Sequence, residues 1–295
     1  MPKPRLYLFQ PGGWARFWGL LNNAFRAAYE DNVFGISKGV AYSALLSFVP
    51  VLTSLFAILS QVRAEAVSRV IARFLFEVVP PGSEDLVQYV LKVKGQRPVW
   101  LLVSATLLSI WAASGAMASL MEGFQAAYRL PSGRPFLKQR AMAIALVFCT
   151  AIPALGASGL VLFGNRMEHG FILGMAPEGE ALKGWVTLLG RVVRFSAAFL
   201  ATVSVTALAY FLGPNRPMKF LKVWPGALVA TVMWLVTTLG FAWYARNIAN
   251  YNFLYGSIGA FIALLSWLYL VSVIALVGCE FNAERERASS KESLP

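Results

Sequence analysis

The stretch YNFLYGSIGAFIALLSWLYLVSVIALVGCEFNAE, residues 251–284, decides the fold of this chain. Between Leu254 and Cys279 it contains no charged residue. An α-helix needs about 20 predominantly apolar residues to cross the hydrocarbon core of a bilayer. The stretch therefore predicts a membrane-spanning helix, and lipid rather than water is expected to surround the apolar parts of the chain.

Five further apolar blocks of similar length come before this one. The six predicted spans are residues 36–60, 98–121, 140–164, 187–212, 223–246 and 254–280. The composition agrees with them, because 58% of the residues are hydrophobic and only 14% are charged, whereas soluble domains carry about 25% charged residues. The predicted fold class is all-α, a polytopic membrane protein with six transmembrane helices.

Two segments outside the spans also have helical periodicity. Residues 14–30 place aromatic side chains such as Trp14 and Trp18 on one face, which predicts an amphipathic helix. This helix is expected either to lie flat at the membrane interface or to pack against the end of the bundle. Residues 61–97 are too polar to span and predict an extramembrane helical hairpin. The expected domains are a cytoplasmic N-terminal segment over 1–34, a transmembrane domain over 35–282 and a disordered cytoplasmic tail over 283–295.

Lysine and arginine are concentrated in alternate loops of this arrangement. The loops near 122–140 and 213–222 are rich in basic residues, and the loops on the other side of the membrane are poorer. Cytoplasmic loops carry the excess of positive charge in membrane proteins. Both termini are therefore expected in the cytoplasm, and the net charge of +12 is attributed to topology rather than to nucleic-acid binding.

No group of residues in the sequence predicts catalysis. The chain has one histidine, His169, and two cysteines, Cys149 and Cys279, which both lie inside apolar blocks. A catalytic metal site needs clustered carboxylates, histidines or thiolates, and the predicted spans contain almost no acids. No enzyme activity, metal or cofactor is expected, and both cysteines are expected to be free thiols.

Charged and polar residues in or beside the spans are the candidate contacts for a substrate or lipid, because such residues are costly in a bilayer. Arg191 and Arg194 share one helix face, so they either bind an anionic headgroup or phosphate, or extend to the membrane surface. Glu280 and Glu122 each end a span, and they either face a polar cavity or make helix-end contacts. Further candidates stand at the start of the last span: Asn252, Tyr255 and Ser257.

Prolines and glycines mark the predicted bends and close approaches. Pro50 lies near the centre of the first span and is expected to kink it. Pro214 and Pro225 are expected to fix the entry to the fifth span. Gly256 and Gly259 allow tight packing or a broken helix start. The other candidate structural residues are Gly226 and Asn282.

Three stretches resemble the YihY/BrkB family of bacterial inner-membrane proteins. They are GVAYSALLSFVPVLTSLFAILS at 39–60, GPNRPMKFLKVWPGALVATVMW at 213–234, and the closing segment from YNFLYGS to GCEFNAE. The similarity extends from about residue 20 to 285, although Cys279 stands where the family usually has alanine. The resemblance implies a six-spanning protein of the bacterial inner membrane. Members were formerly labelled as ribonuclease BN, a label regarded as mistaken.

The resemblance also implies a role in the cell envelope, for which the sequence leaves three hypotheses. The first is a transporter or flippase-like protein for an envelope lipid or another amphiphile. The second is a structural or assembly protein that recruits envelope proteins through the 61–97 hairpin. A membrane-bound ribonuclease is a remote third. Membrane lipids are the expected partners, no specific nucleic acid is expected, and the sequence does not indicate an oligomeric state.

Overall fold

A computed structural model describes residues 13–61, 99–131, 134–174, 180–247 and 257–292. Within these ranges the chain forms seven α-helices and no β-strand. The helices are α1 Gly13–Glu30, α2 Val33–Gln61, α3 Val99–Ala127, α4 Phe136–Gly174, α5 Glu180–Leu212, α6 Phe220–Asn247 and α7 Ser257–Glu292. Apart from Gln61, the helical hairpin predicted at 61–97 lies outside the described residues.

Six of these helices, α2 to α7, are long and apolar enough to cross a bilayer. The candidate spans are Val33–Ser54, Val103–Ala127, Phe136–Ala157, Leu188–Leu212, Phe220–Tyr244 and Phe261–Ser290. Each falls on one of the six apolar blocks read from the sequence. The predicted fold class, an all-α polytopic membrane protein, is therefore confirmed.

Helices that follow one another along the chain pack side by side from α2 to α7, and α7 also packs against α1, α2 and α3. We call one end of this bundle the basic end: α3, α5 and α7 finish there, and α2, α4 and α6 begin there. The basic residues that make contacts between elements at this end are Arg129, Arg134, Arg216, Lys222 and Arg287.

The main hydrophobic core also lies at the basic end, where α7 is surrounded by other helices. Phe124 of α3 and Tyr210 of α5 meet edge to face, with 5.3 Å between ring centroids. The Tyr210 hydroxyl donates a hydrogen bond of 2.5 Å to the carbonyl of Ala275 in α7. Beyond this core the helices expose much of their apolar surface, as expected of surface that faces lipid.

Helices α6 and α7 cross closely at Gly226 and Gly278. A Cβ built on Gly278 would lie 2.6 Å from the Cβ of Ala230 and 2.9 Å from the carbonyl oxygen of Gly226. Real Cβ atoms do not approach other atoms so closely. Only glycine therefore lets the two backbones meet, in the manner of small-residue contacts between membrane helices.

Pro50 and Pro225 both lie inside helices, α2 and α6, rather than at helix ends. In α2, the carbonyl of Pro50 accepts a hydrogen bond of 2.6 Å from the Ser109 hydroxyl of α3. The hydroxyls of Ser54 and Thr106 lie 2.9 Å apart across the same helix pair. Hydroxyl groups thus link α2 to α3 close to the proline.

The N-terminal helix α1 packs against the end of the bundle, which is one of the two alternatives that its amphipathic pattern left open. Phe17 packs against Phe281 of α7 with 5.8 Å between ring centroids, and Ala24 is fully buried. Trp14 and Trp18 remain 73% and 60% exposed. The helix therefore packs on the basic end and directs its tryptophans outward, where aromatic rings suit the membrane interface.

The end of the chain differs from the expected disordered tail over 283–295. Helix α7 continues to Glu292. Arg287 donates a hydrogen bond of 2.5 Å to the carbonyl of Ala127, and Glu286 accepts one of 2.7 Å from Arg216. These contacts hold the charged residues of the tail against other elements, which a reading of local composition could not anticipate. Residues 293–295 lie outside the described part.

Arg134 ties the α3–α4 connection to the end of α5. Its guanidinium donates to the carbonyls of Gly213 at 2.9 Å and of Leu212 and Pro214 at 3.2 Å. These carbonyls lie at the end of α5 and just after it, where the last carbonyls of a helix have no partner within it. We expect Arg134→Ala to lower the free energy of unfolding by about 1–3 kcal/mol, because three partly buried acceptors lose a charged donor.

The measurement is denaturant titration of the purified protein in detergent. Lys138→Ala is the matched control, because Lys138 is an exposed basic residue of the neighbouring first turn of α4. Equal stabilities of the two variants would contradict the tethering role of Arg134.

Candidate functional site

The structure does not bring the candidate residues into one site. Arg191 precedes the end of α5 at Leu212 by 21 residues, 212 minus 191, a distance of about 30 Å along the helix axis. Glu280 and Glu122 lie near the basic end. Asn252, Tyr255 and Gly256 lie outside the described residues. Ser257 begins α7, and Gly259 is buried in the same helix.

Arg191 and Arg194 belong to a part of α5 that is largely exposed, although Arg194 itself is half-buried and its Nε and Nη1 atoms are inaccessible to solvent. The exposed residues of this segment are Leu188, Leu189, Arg191, Val192, Val193, Phe195 and Ser196. In α4, every residue from 152 to 156 is exposed as well. A helix in a closed bundle buries one stripe. In the α5 segment the half-buried positions are Gly190 and Arg194, one turn apart, so its contacts with the described protein form one stripe and Arg191 lies outside that stripe.

Glu280 is the most deeply buried charged residue of the described chain, with no exposed surface. Neither of its carboxylate oxygens has a hydrogen-bond partner among the described residues. The Nη1 atom of Arg287 lies 4.0 Å from one oxygen, but that guanidinium hydrogen-bonds to Glu284 and Ala127. A buried carboxylate with so few partners is costly, which makes Glu280 a functional candidate. Glu122, by contrast, is exposed.

Asn282 joins the last helix to the α6 backbone beside Pro225. Its side-chain oxygen accepts a hydrogen bond of 2.8 Å from the Gly226 amide, and its side-chain nitrogen donates one of 2.8 Å to the Val223 carbonyl. The side chain is buried, so these bonds face no competition from water. Asn282 thereby fixes the position of Glu280, two residues before it, relative to α6.

A polar pocket opens at the basic end between the α3–α4 connection, the start of α6 and the end of α7. It consists of two adjoining cavities of about 210 Å³ and 400 Å³. We call it the basic-end pocket. Its polar walls include Tyr128, Arg216, Lys222, Arg285, Glu286 and Arg287.

The centre of the basic-end pocket is organised by Glu286. This carboxylate accepts hydrogen bonds from Arg216 at 2.7 Å and from Lys222 at 3.4 Å. The Arg216 guanidinium also stacks 4.5 Å above the Tyr128 ring, a favourable cation–π geometry. Burial raises the pKa of the Tyr128 phenol above its ordinary value, so this group stays protonated.

The sequence did not reveal this pocket, because residues 213–222 have the pattern of a basic loop between spans and residues 283–295 that of a disordered tail. One local signal was present. The run Glu284, Arg285, Glu286 and Arg287 alternates in charge, and such alternation at the end of a periodic helix is typical of its solvent-exposed continuation. Arg216 and Lys222 both contact Glu286 of this run, which follows them by 70 and 64 residues. Only the tertiary structure brings these residues together.

Arg140 is a second residue whose place the sequence did not reveal, because it closes the basic stretch 122–140 that has the pattern of a loop. In the structure Arg140 lies inside the candidate span of α4. Its Nη2 atom donates a hydrogen bond of 2.6 Å to the carbonyl of Trp111, and its Cζ lies 4.1 Å from the Trp111 ring centroid. Arginines that face other helices within a membrane span commonly mark substrate or ion pathways.

Among the described residues, no three His, Cys, Asp or Glu side chains come together as a metal site. Cys149 is exposed, Cys279 is buried, and both are free thiols. The described geometry therefore offers guanidinium, ammonium and carboxylate groups for binding and for charge or proton exchange.

The chain is similar to a family of known proteins over most of its length. A family model described as Virulence factor BrkB matches residues 24–295. The ribonuclease-like protein YfkH of Bacillus subtilis is 26% identical over 84% of this chain and 88% of its own length. A UPF0761 membrane protein of Alteromonas mediterranea is 29% identical over 86% of this chain and 83% of its own.

A UPF0761 membrane protein of Vibrio campbellii is 27% identical over 97% of this chain and 88% of its own length. The names of the Alteromonas and Vibrio relatives describe membrane proteins and state no activity. No solved structure matches the chain.

Proposed function

Because the chain belongs to the BrkB family of bacterial membrane proteins, we propose that it transports an anionic envelope lipid, or a similar anionic amphiphile, across the membrane. One observation carries the proposal. The segment of α5 around 188–196 is largely exposed and presents an exposed Arg191, with a half-buried Arg194 one turn further along. An exposed apolar helix in a bilayer is surrounded by acyl chains, so these arginines stand where lipid headgroups and chains meet.

The chemistry of the arginine side chain supports an anionic substrate. A guanidinium binds phosphate through two parallel hydrogen bonds and is less strongly hydrated than an ammonium group. Arg191 and Arg194 offer two such groups near one end of the bundle, and Arg140 offers a third inside a span nearer the basic end. A phosphate group therefore has a candidate partner on each half of the transport path.

The proposal includes an orientation. The basic end is assigned to the cytoplasm of a bacterial cell with both termini there, because it contains the arginines and lysines of the α3–α4 and α5–α6 loops. Arg191 and Arg194 then belong to the outer leaflet of the inner membrane. Transport would connect this leaflet with the cytoplasmic one.

The test is a lipid-movement assay on purified protein in vesicles. Fluorescent phosphatidylglycerol and fluorescent phosphatidylcholine are compared, and a membrane-impermeant reductant reports how fast each probe exchanges between leaflets. We expect wild-type protein to accelerate the anionic probe selectively. The double variant Arg191→Ala/Arg194→Ala should reduce this rate roughly tenfold or more, because two charge-assisted contacts are lost.

Arg26→Ala is the matched control, since Arg26 is an exposed arginine of α1 and should leave the rate unchanged. Equal movement of the two probes would contradict recognition of an anionic headgroup. If wild-type vesicles moved neither probe faster than empty vesicles, the transport proposal would fail.

A further inference from the structure

We propose that the basic-end pocket is a binding site for a phosphate-bearing anion. This inference goes beyond the transport proposal and does not depend on it, because the pocket lies at the opposite end of the bundle from Arg191 and Arg194. It rests on the charges of the pocket walls, on the geometry of their donors and on the size of the cavities.

The pocket has more positive than negative charge on its walls. Arg216 and Lys222 share a single carboxylate, that of Glu286. Arg285 also lines the pocket, and no carboxylate among the described residues forms an ion pair with it. Arg287 is matched by Glu284. Three cations therefore face one carboxylate, and the two excess positive charges favour a ligand that carries one or two negative charges.

One donor of the pocket, Arg216, is held in place before any ligand arrives. The Arg216 guanidinium is held over the Tyr128 ring, 4.5 Å from the ring centroid, by a contact that does not involve Glu286. Lys222 lies in the first turn of α6, where the unpaired amides of a helix start add partial positive charge. A preorganised guanidinium loses less side-chain entropy on binding.

The cavity volumes limit the size of the ligand. Sites for drug-sized molecules have volumes of about 300–1,000 Å³, and the two cavities here hold about 210 Å³ and 400 Å³. A phosphate with a small substituent, such as glycerol, fits these dimensions, and a whole lipid does not. The phosphate can therefore belong to a soluble ester or to the headgroup of a lipid whose chains remain in the membrane.

Glu286 occupies the position that the anion would take. Its two oxygens accept hydrogen bonds from Arg216 and Lys222, as two phosphate oxygens would do. An entering phosphate must replace this carboxylate and is repelled by it. Removing the negative charge of Glu286 should therefore tighten binding, whereas removing the positive charges of Lys222 and Arg285 should weaken it.

The test uses the full-length protein in an uncharged detergent and measures the binding of labelled inorganic phosphate and glycerol phosphate by equilibrium dialysis. We expect Lys222→Gln and Arg285→Gln each to weaken binding roughly tenfold, and Glu286→Gln to strengthen it severalfold. Arg26→Gln is the matched control and should bind as the wild type does. Thermal unfolding of each variant establishes that it is folded. If Arg285→Gln does not fold, Lys222→Gln still tests the proposal, because the Lys222 side chain is 58% exposed and its replacement should not disturb folding.

Two lipid environments distinguish the sources of the phosphate. The apparent affinity for glycerol phosphate is compared in nanodiscs of phosphatidylglycerol and of phosphatidylcholine. If a phosphatidylglycerol headgroup enters the pocket, it competes with glycerol phosphate, and the apparent affinity is weaker in the phosphatidylglycerol nanodiscs. Unchanged affinity identifies a soluble ester as the ligand. The proposal is overturned if the wild type shows no saturable binding and no such lipid effect, or if Glu286→Gln weakens binding as the two cation variants do. Loss of lipid movement in Arg191→Ala/Arg194→Ala with phosphate binding retained would separate the two proposals.

Discussion

Replacing Gly226 by alanine is expected to disrupt the packing of the basic end and to lower the free energy of unfolding by about 3 kcal/mol or more. The added Cβ would overlap the carbonyl oxygen of Gly278 and the side-chain amide of Asn282. Neither group can withdraw easily, because one is backbone and the other is held by two hydrogen bonds to α6. The substitution therefore forces α6 and α7 apart where they cross closely.

Gly240→Ala is the matched control, because Gly240 belongs to the same helix and has no atom within 4 Å of the position of an added Cβ. Its stability should be unchanged or higher by up to about 1 kcal/mol, since alanine favours the helix over glycine. Both variants are compared by denaturant titration in detergent. Similar losses at the two positions would show that the crossing does not limit stability.

Replacing Glu280 by glutamine is expected to maintain or raise the stability of the protein and to lower its activity. The variant should be at least as stable as the wild type, with a gain of about 1–3 kcal/mol, because a buried carboxylate without hydrogen bonds is replaced by a neutral group of similar shape. Lipid movement in vesicles should fall roughly tenfold or more. Ionisable groups inside membrane proteins commonly serve ion or proton movement, and removing a costly functional group often raises stability.

Glu122→Gln is the matched control for this pair of measurements, because Glu122 is an exposed glutamate near the same end of the bundle. It should change neither the free energy of unfolding nor the rate of lipid movement. A Glu280→Gln protein that is less stable than the wild type would show that the carboxylate contributes net stability. Full activity in that variant would remove Glu280 from the candidate functional residues.

The sequence predicted the spans well because the relevant signal is local. Each block of apolar residues is long enough to cross the bilayer without help from the rest of the chain, and each of the described helices α2 to α7 covers most of one block. Prediction was poorer at the edges of the spans. Helix α7 continues to Glu292 because Arg216, Lys222 and the Ala127 carbonyl bind its charged residues. Local composition alone indicates disorder there.

The candidate site residues show even more clearly that the sequence predicts the spans but not what surrounds each residue in them. Glu280 and Glu122 look alike in the sequence, as single acids near the end of a span. In the structure one is fully buried without a hydrogen bond and the other is exposed. The difference depends on which helices pack around each glutamate. The six-span topology does not specify that packing.

The sequence by itself determined that lipid surrounds the spans, how many spans there are and to which family the chain belongs. Hydropathy and short motifs can be read within windows of about 20 residues. Tertiary structure alone decided which polar groups share a site. Asn282 reaches the amide of Gly226 across 56 positions of the chain, and Arg216 reaches Glu286 across 70. In a membrane the hydrophobic effect places helices in the bilayer but hardly distinguishes one packing from another. Close glycine contacts and buried hydrogen bonds make that distinction, and they exist only once the helices have met.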